Sequence, residues 1–95
     1  MTLTVHNQLT LLHDLLDEQI NHKNGSIEEY QQIKRLVRSL VSNEQLDDEQ
    51  LLQLLPEIYN YGIRGEIAQS LPDHIMDNKD NIETWKDVIQ NTHLK

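Results

Sequence analysis

Residues 46–65 read LDDEQLLQLLPEIYNYGIRG, and the phase of their apolar positions decides the fold. On a helical projection Leu51, Leu52, Leu54, Leu55, Ile58, Tyr59 and Tyr61 share one broad arc. Glu49, Gln53, Pro56, Glu57 and Asn60 share the other. A proline inside a helix removes a backbone donor and clashes with the preceding turn. Here the apolar phase continues past it and Pro56 falls on the outer side, so the pattern predicts a helix that bends rather than stops. The start signal is complete: Asp47 as cap, Gln50 as its reciprocal partner, Leu46 and Leu51 as a hydrophobic staple, and acids in the first turn. Gly62 is the expected end cap, which gives a helix over 47–61 and a loop over 63–69 with one turn at 66–69.

Three further amphipathic segments flank it. Val5, Leu9, Leu12, Leu16 and Ile20 recur at spacings of three and four, with Leu11 and Leu15 widening the stripe and Asp14, Glu18 and Asn21 opposite. This predicts a helix over 4–22, stopped by Lys23-Asn24-Gly25. Ser26-Ile27-Glu28-Glu29 is a capping box that opens a helix over 27–42, with Ile27, Tyr30, Ile33, Val37, Leu40 and Val41 as its buried stripe. Ser70-Leu71-Pro72-Asp73 opens the last helix, over 71–92. Leu71, Ile75, Ile82, Trp85 and Ile89 form its heptad-like seam. Four such segments with short connections predict an all-α, single-domain, up-down-up-down four-helix bundle over residues 1–95. The competing arrangement exchanges the last helix into a partner.

Composition narrows the function classes. The net charge is −8, so binding to nucleic acid or an anionic membrane needs a strong local basic patch. Lys34, Arg35 and Arg38 are the basic cluster, and three cations in an acidic chain are expected to face Glu28 or a neighbouring acidic helix. The chain has no cysteine, which excludes disulfides, cysteine catalysis and thiolate metal sites. It has neither the basic start of a signal peptide nor an apolar run of membrane-span length, and a cytoplasmic protein is expected.

Few residues suggest chemistry. His6, His13 and Asp17 lie along one edge of the first helix, with His13 and Asp17 one turn apart as two metal ligands would be, but no third strong ligand is evident. His22 at a helix end, followed by Lys23 and Gly25, superficially resembles a histidine phosphotransfer site, although such sites need the histidine in mid-helix. Gly62-Ile63-Arg64-Gly65 matches the GxxG of nucleic-acid-binding loops without their βααβ frame, so cap and turn roles account for it. No P-loop, nucleophile elbow or zinc-protease motif occurs, and the expectation is a non-enzyme without a cofactor. Two features bear on binding. Asp73, Asp77, Asp80, Glu83 and Asp87 give the last helix an acidic outer side. His74, Asn78 and Asn81 form a polar strip on or beside the seam, where such residues specify register or line a contact.

His6-Asn7-Gln8-Leu9 with Leu11-Leu12, Ser26-Ile27-Glu28-Glu29-Tyr30, Glu57-Ile58-Tyr59-Asn60-Tyr61, and Asp73-His74-Ile75 followed by Trp85 together resemble the YtzH-like family, small cytoplasmic proteins of Bacillus and its relatives. The resemblance implies no assigned activity and carries over no catalytic residue. The expectation is therefore a non-enzymatic helical interaction or regulatory module that binds a protein partner or a second copy of itself. The alternative is a ligand- or metal-binding bundle using His6, His13 and Asp17.

Overall fold

A computed structural model describes residues 4–22, 26–43, 46 and 48–93. They form five helices and no strand: α1 (Val5–His22), α2 (Ile27–Ser42), α3 (Glu49–Ile67), α4 (Leu71–Asp77) and α5 (Lys79–His93). The caps are local side-chain chemistry. Thr4 Oγ1 accepts from the Asn7 amide at 3.1 Å, Ser26 Oγ from Glu29 at 3.2 Å and Ser70 Oγ from Asp73 at 3.4 Å. The third helix is capped one residue later than expected. Asp48 Oδ1, not Asp47, accepts from the Leu51 amide at 3.0 Å. Asp47 and the predicted stop at residues 23–25 lie outside the described residues.

The most extensive packing is α2 against α3 and α1 against α5, with smaller contacts between α1 and α2 and between α3 and α5. One aliphatic core runs between them. Leu9, Leu12 and Leu16 come from α1, Ile33, Val37 and Leu40 from α2, Leu51, Leu55 and Ile58 from α3, Ile75 from α4, and Ile82 and Ile89 from α5. Each is at most 1 % exposed. Polar side chains tie helices together at the edges. Gln8 Nε2 donates to Ser39 Oγ at 2.9 Å, and Lys34 Nζ lies 2.5 Å from Glu66 Oε1. Pro56 is exposed and the helix runs through it, as the apolar phase implied. Ile27 and Val41, expected in the α2 stripe, are 51 % and 52 % exposed. They belong to the first and last turns of α2, outside the buried run that spans Tyr30 to Leu40.

Two boundaries differ from the sequence reading for physical reasons. First, α3 does not end at Gly62 but continues to Ile67, and both Gly62 and Gly65 are buried inside it. A Cβ at Gly65 would lie 2.5 Å from Tyr30 Cδ1 and Cε1, and one at Gly62 would lie 2.8 Å from Lys34 Cγ and 3.3 Å from the Tyr30 carbonyl oxygen. These glycines let α2 approach α3 closely, so the GxxG is a helix-packing feature and neither a cap nor a loop. Second, the expected single helix over 71–92 is two helices, so the fourth arm of the predicted four-helix count is in two pieces. Asn78 makes the break. In an unbroken helix its own amide would bond the His74 carbonyl. Instead its side-chain Nδ2 donates to that carbonyl at 2.9 Å, and its amide turns to Ile75 at 3.2 Å. Its carbonyl then accepts from Ile82 at 2.8 Å and starts α5.

Candidate functional site

The elbow at Asn78 faces the C-terminal half of α3, and a cleft of about 210 Å³ lies between them. Positions 57, 60, 61 and 64 are spaced by three, four and seven, so they form one stripe of α3. Through that stripe α3 contributes Glu57, Asn60, Tyr61 and Arg64. The opposite wall is Asn78, Asn81 and Trp85. Glu57, Asn60, Arg64 and Asn81 are exposed, and among the described residues none of their side chains has a hydrogen-bond or ion-pair partner. Two opposite charges and the amides of Asn60 and Asn81 thus reach the cleft with their bonding capacity open, while Asn78 has one side-chain N–H committed to the His74 carbonyl.

The floor beneath is buried and aromatic. Tyr61 and Trp85 are 2 % and 4 % exposed and meet edge to face, with ring centroids 5.6 Å apart. The His74 ring stacks on Tyr61 at 4.6 Å, and its Nε2–H donates to the Tyr61 carbonyl at 3.1 Å. Tyr30 meets Tyr61 edge-on at 5.5 Å. The Tyr61 hydroxyl donates to Gln19 Oε1, which leaves its oxygen to accept from the Tyr30 hydroxyl at 3.5 Å. Burial pushes both phenols above their usual range, so both stay protonated and serve as structure, not as acids or bases.

Of the polar strip read in the sequence, Asn78 and Asn81 line the cleft and His74 braces its floor. Asp73, Asp77 and Asp80 are exposed and do not line it. Glu57, Asn60 and Arg64 were not legible as site residues. The α3 projection places Glu57 and Asn60 on the outer arc, where polar residues are ordinary. Gln19 also went unread, although its spacing from Leu9, Leu12 and Leu16 continues the buried stripe of α1.

The edge of α1 is arranged differently from the metal reading. His6 is exposed, and His13 Nδ1 lies 3.8 Å from Asp14. Asp17 Oδ1 is 2.5 Å from Lys86 Nζ on α5, and Asp17 Oδ2 accepts from Asn21 at 3.0 Å. The Lys86 ammonium holds the Asp17 carboxyl below its usual range. Among the described residues no three His, Cys, Asp or Glu side chains are placed to hold a metal ion. His22 ends α1, and its side chain lies outside the described residues. In the basic cluster, Lys34 pairs with Glu66 of the neighbouring α3. Arg38 Nη2 donates to the Tyr59 hydroxyl at 2.8 Å, with its guanidinium 5.8 Å from that ring's centroid. Arg35 is exposed. A second, more apolar cavity of about 330 Å³ lies beside this pair, where Val37, Val41, Pro56 and Tyr59 meet. Among the described residues no helix is long and apolar enough to cross a membrane.

No solved structure matches the chain. It is 29 % identical over 85 residues to a Bacillus subtilis (strain 168) protein named Uncharacterized protein YtzH, covering 90 % of this chain and 91 % of that one. Residues 3–89 match the family described as YtzH-like protein. With most of the chain matched, the protein belongs to the YtzH-like family.

Proposed function

We propose that the protein is a non-catalytic interaction module that engages a protein partner through the cleft between α3 and the α4–α5 elbow. The observation that carries this reading is the convergence of Glu57, Asn60, Arg64 and Asn81, whose side chains have no partner among the described residues, over a buried aromatic floor. Exposed polar groups that already bond one another have little left to offer a partner. These do not. The resemblance supports a cytoplasmic setting. The packing of α1 on α5 and of α2 on α3 supports reading the helices as an up-down-up-down bundle whose last arm is bent at Asn78. The test is a comparison of immobilised wild type with an Asn60→Ala, Arg64→Ala, Asn81→Ala variant in a lysate of the organism that makes the protein. All three side chains are exposed, so the variant is expected to keep its thermal midpoint. A protein retained by wild type and lost from the variant supports the reading; identical retained sets, or none, refute it.

Self-association is the second reading, favoured by Val41 at 52 % exposure beside the apolar cavity between α2 and α3. Sedimentation at micromolar concentration tests it, and a monomer throughout would remove it.

A further inference from the structure

The chemistry of the cleft narrows what would occupy it. Asn60, Asn78 and Asn81 bring primary amides, and each offers both a donor and an acceptor. The group most complementary to an amide is another amide, which a peptide backbone repeats along its length. The volume of about 210 Å³ is below the range of roughly 300–1,000 Å³ typical of pockets that enclose a cofactor-sized molecule. A chain laid across the cleft needs no such enclosure. Glu57 and Arg64 stand at the two ends of the α3 stripe, and neither has an ion-pair partner among the described residues. Seven residues of helix separate them by about 10.5 Å along the axis.

Among extended conformations, the two charges favour one. In a β-strand, residues three apart point to opposite faces. In a polyproline II helix they return to the same face after a rise of about 9.3 Å, and every backbone N–H and C=O is free of internal bonds. That spacing fits the separation of Glu57 and Arg64, and that backbone fits the three amides. We infer that the cleft takes an internal segment of a partner protein in the polyproline II conformation, with a basic and an acidic residue three positions apart facing Glu57 and Arg64. The inference rests on the interaction-module reading and names the chemistry of its partner.

Trp85 is the sole tryptophan of the chain and lines the cleft, so its fluorescence reports occupancy directly. The experiment titrates the full chain with the capped hexapeptide acetyl-Ala-Lys-Ala-Ala-Asp-Ala-amide, with the same peptide carrying Ala in place of Lys or of Asp, and with the free tripeptide Ala-Ala-Ala. The expected result is saturable binding of the mixed-charge peptide. Each loss of charge should weaken it about threefold to fivefold, the scale of a solvent-exposed ion pair. Arg64→Gln should abolish the preference for Asp while keeping that for Lys, and Glu57→Gln should do the reverse. A general loss of structure would not produce that crossed pattern. The inference is overturned if the mixed-charge peptide binds no better than its Ala-substituted forms, or if the free tripeptide binds more tightly than the capped one. If it falls while the lysate partner still depends on Asn60, Arg64 and Asn81, the segment chemistry is wrong and the interaction reading stands. If no cleft-dependent partner is retained, that reading falls by its own test.

Discussion

Gly65→Ala tests the close approach of α2 to α3. The added methyl would sit 2.5 Å from two carbons of the Tyr30 ring and 2.6 Å from a third, where carbon atoms normally approach to about 3.5–4.0 Å. The ring has nowhere to go. Tyr30 is fully buried, and moving it disturbs its edge contacts with Tyr61 and His74 at 5.5 and 5.7 Å. Overpacking of this kind costs about 1–3 kcal/mol, and a rigid ring places it near the upper end. Replacing glycine by alanine inside a helix returns about 1 kcal/mol. The net expectation is a loss of about 2 kcal/mol, which for a domain of this size lowers the thermal midpoint by roughly 8–16 °C. Gly62→Ala is the internal control. Its methyl meets Lys34 Cγ at 2.8 Å and the Tyr30 carbonyl oxygen at 3.3 Å, a smaller overlap than the one at Gly65, so after the propensity gain the loss is expected to be about 1 kcal/mol and below that of Gly65→Ala. Thermal and urea denaturation of both variants, followed by circular dichroism, measure the two effects. A Gly65→Ala protein as stable as wild type, or a Gly62→Ala protein less stable than Gly65→Ala, would refute the packing argument.

The buried Tyr61–Gln19 bond should behave asymmetrically. Tyr61→Phe strands Gln19 Oε1 in the core and should cost about 1–3 kcal/mol, whereas adding Gln19→Met to it should recover most of that loss in denaturant titrations. Asp17→Asn should cost under about 1 kcal/mol near neutral pH because the Lys86 pair is partly solvated. The folded-state carboxyl is depressed, so the contribution exists above the unfolded pKa of about 3.9 and fades as pH falls through the lower folded value. Wild-type and variant stabilities should therefore converge in acid, and a gap that widens there would contradict the assignment. In base the sign reverses. The Tyr30 and Tyr61 phenols are raised by burial, so stability should be intact below about pH 10 and fall as pH rises above it. Their phenolate absorbance should appear in one cooperative step with the loss of helical dichroism; its appearance in the folded state would show the pair to be less enclosed than the geometry requires.

The helical content was legible because it follows from periodicity. The stripe through Leu9, Leu12 and Leu16, the Ser26 and Ser70 caps and the apolar phase across Pro56 are all local patterns. The misread positions depend on what lies opposite. Gly62 and Gly65 look like terminators until Tyr30 is seen lying against one and Lys34 against the other. Ile27 fits the α2 stripe in phase but falls in the helix's first turn, beyond the buried run. The candidate site divides in the same way. Asn78 and Asn81 were visible as polar residues where an apolar seam was due, a conflict within one helix. Glu57, Asn60 and Arg64 offered no such conflict, since polar residues on an outer face are ordinary, and only the elbow opposite makes that face one wall of a cleft.

The elbow follows from one side chain. Asparagine competes with the backbone for local carbonyls, and at position 78 it takes the His74 carbonyl that its own amide would have bonded. The backbone there settles at φ −106° and ψ 9°, off the helical path, and α5 sets out from the Asn78 carbonyl. An unbroken helix over 71–92 would carry Ile75 and Trp85 on one straight seam. With the break, α4 lays His74 against Tyr61 while α5 keeps Trp85 at 5.6 Å from the same ring. The cleft is the space that the change of direction leaves above that ring. Asn78→Leu, which keeps the size but removes the competing amide, is therefore expected to favour a continuous helix, seen as loss of the Asn78 break in secondary chemical shifts, and to change Trp85 fluorescence. An unchanged break in Asn78→Leu would mean that the packing of Ile75 and Trp85, and not the asparagine, sets the elbow.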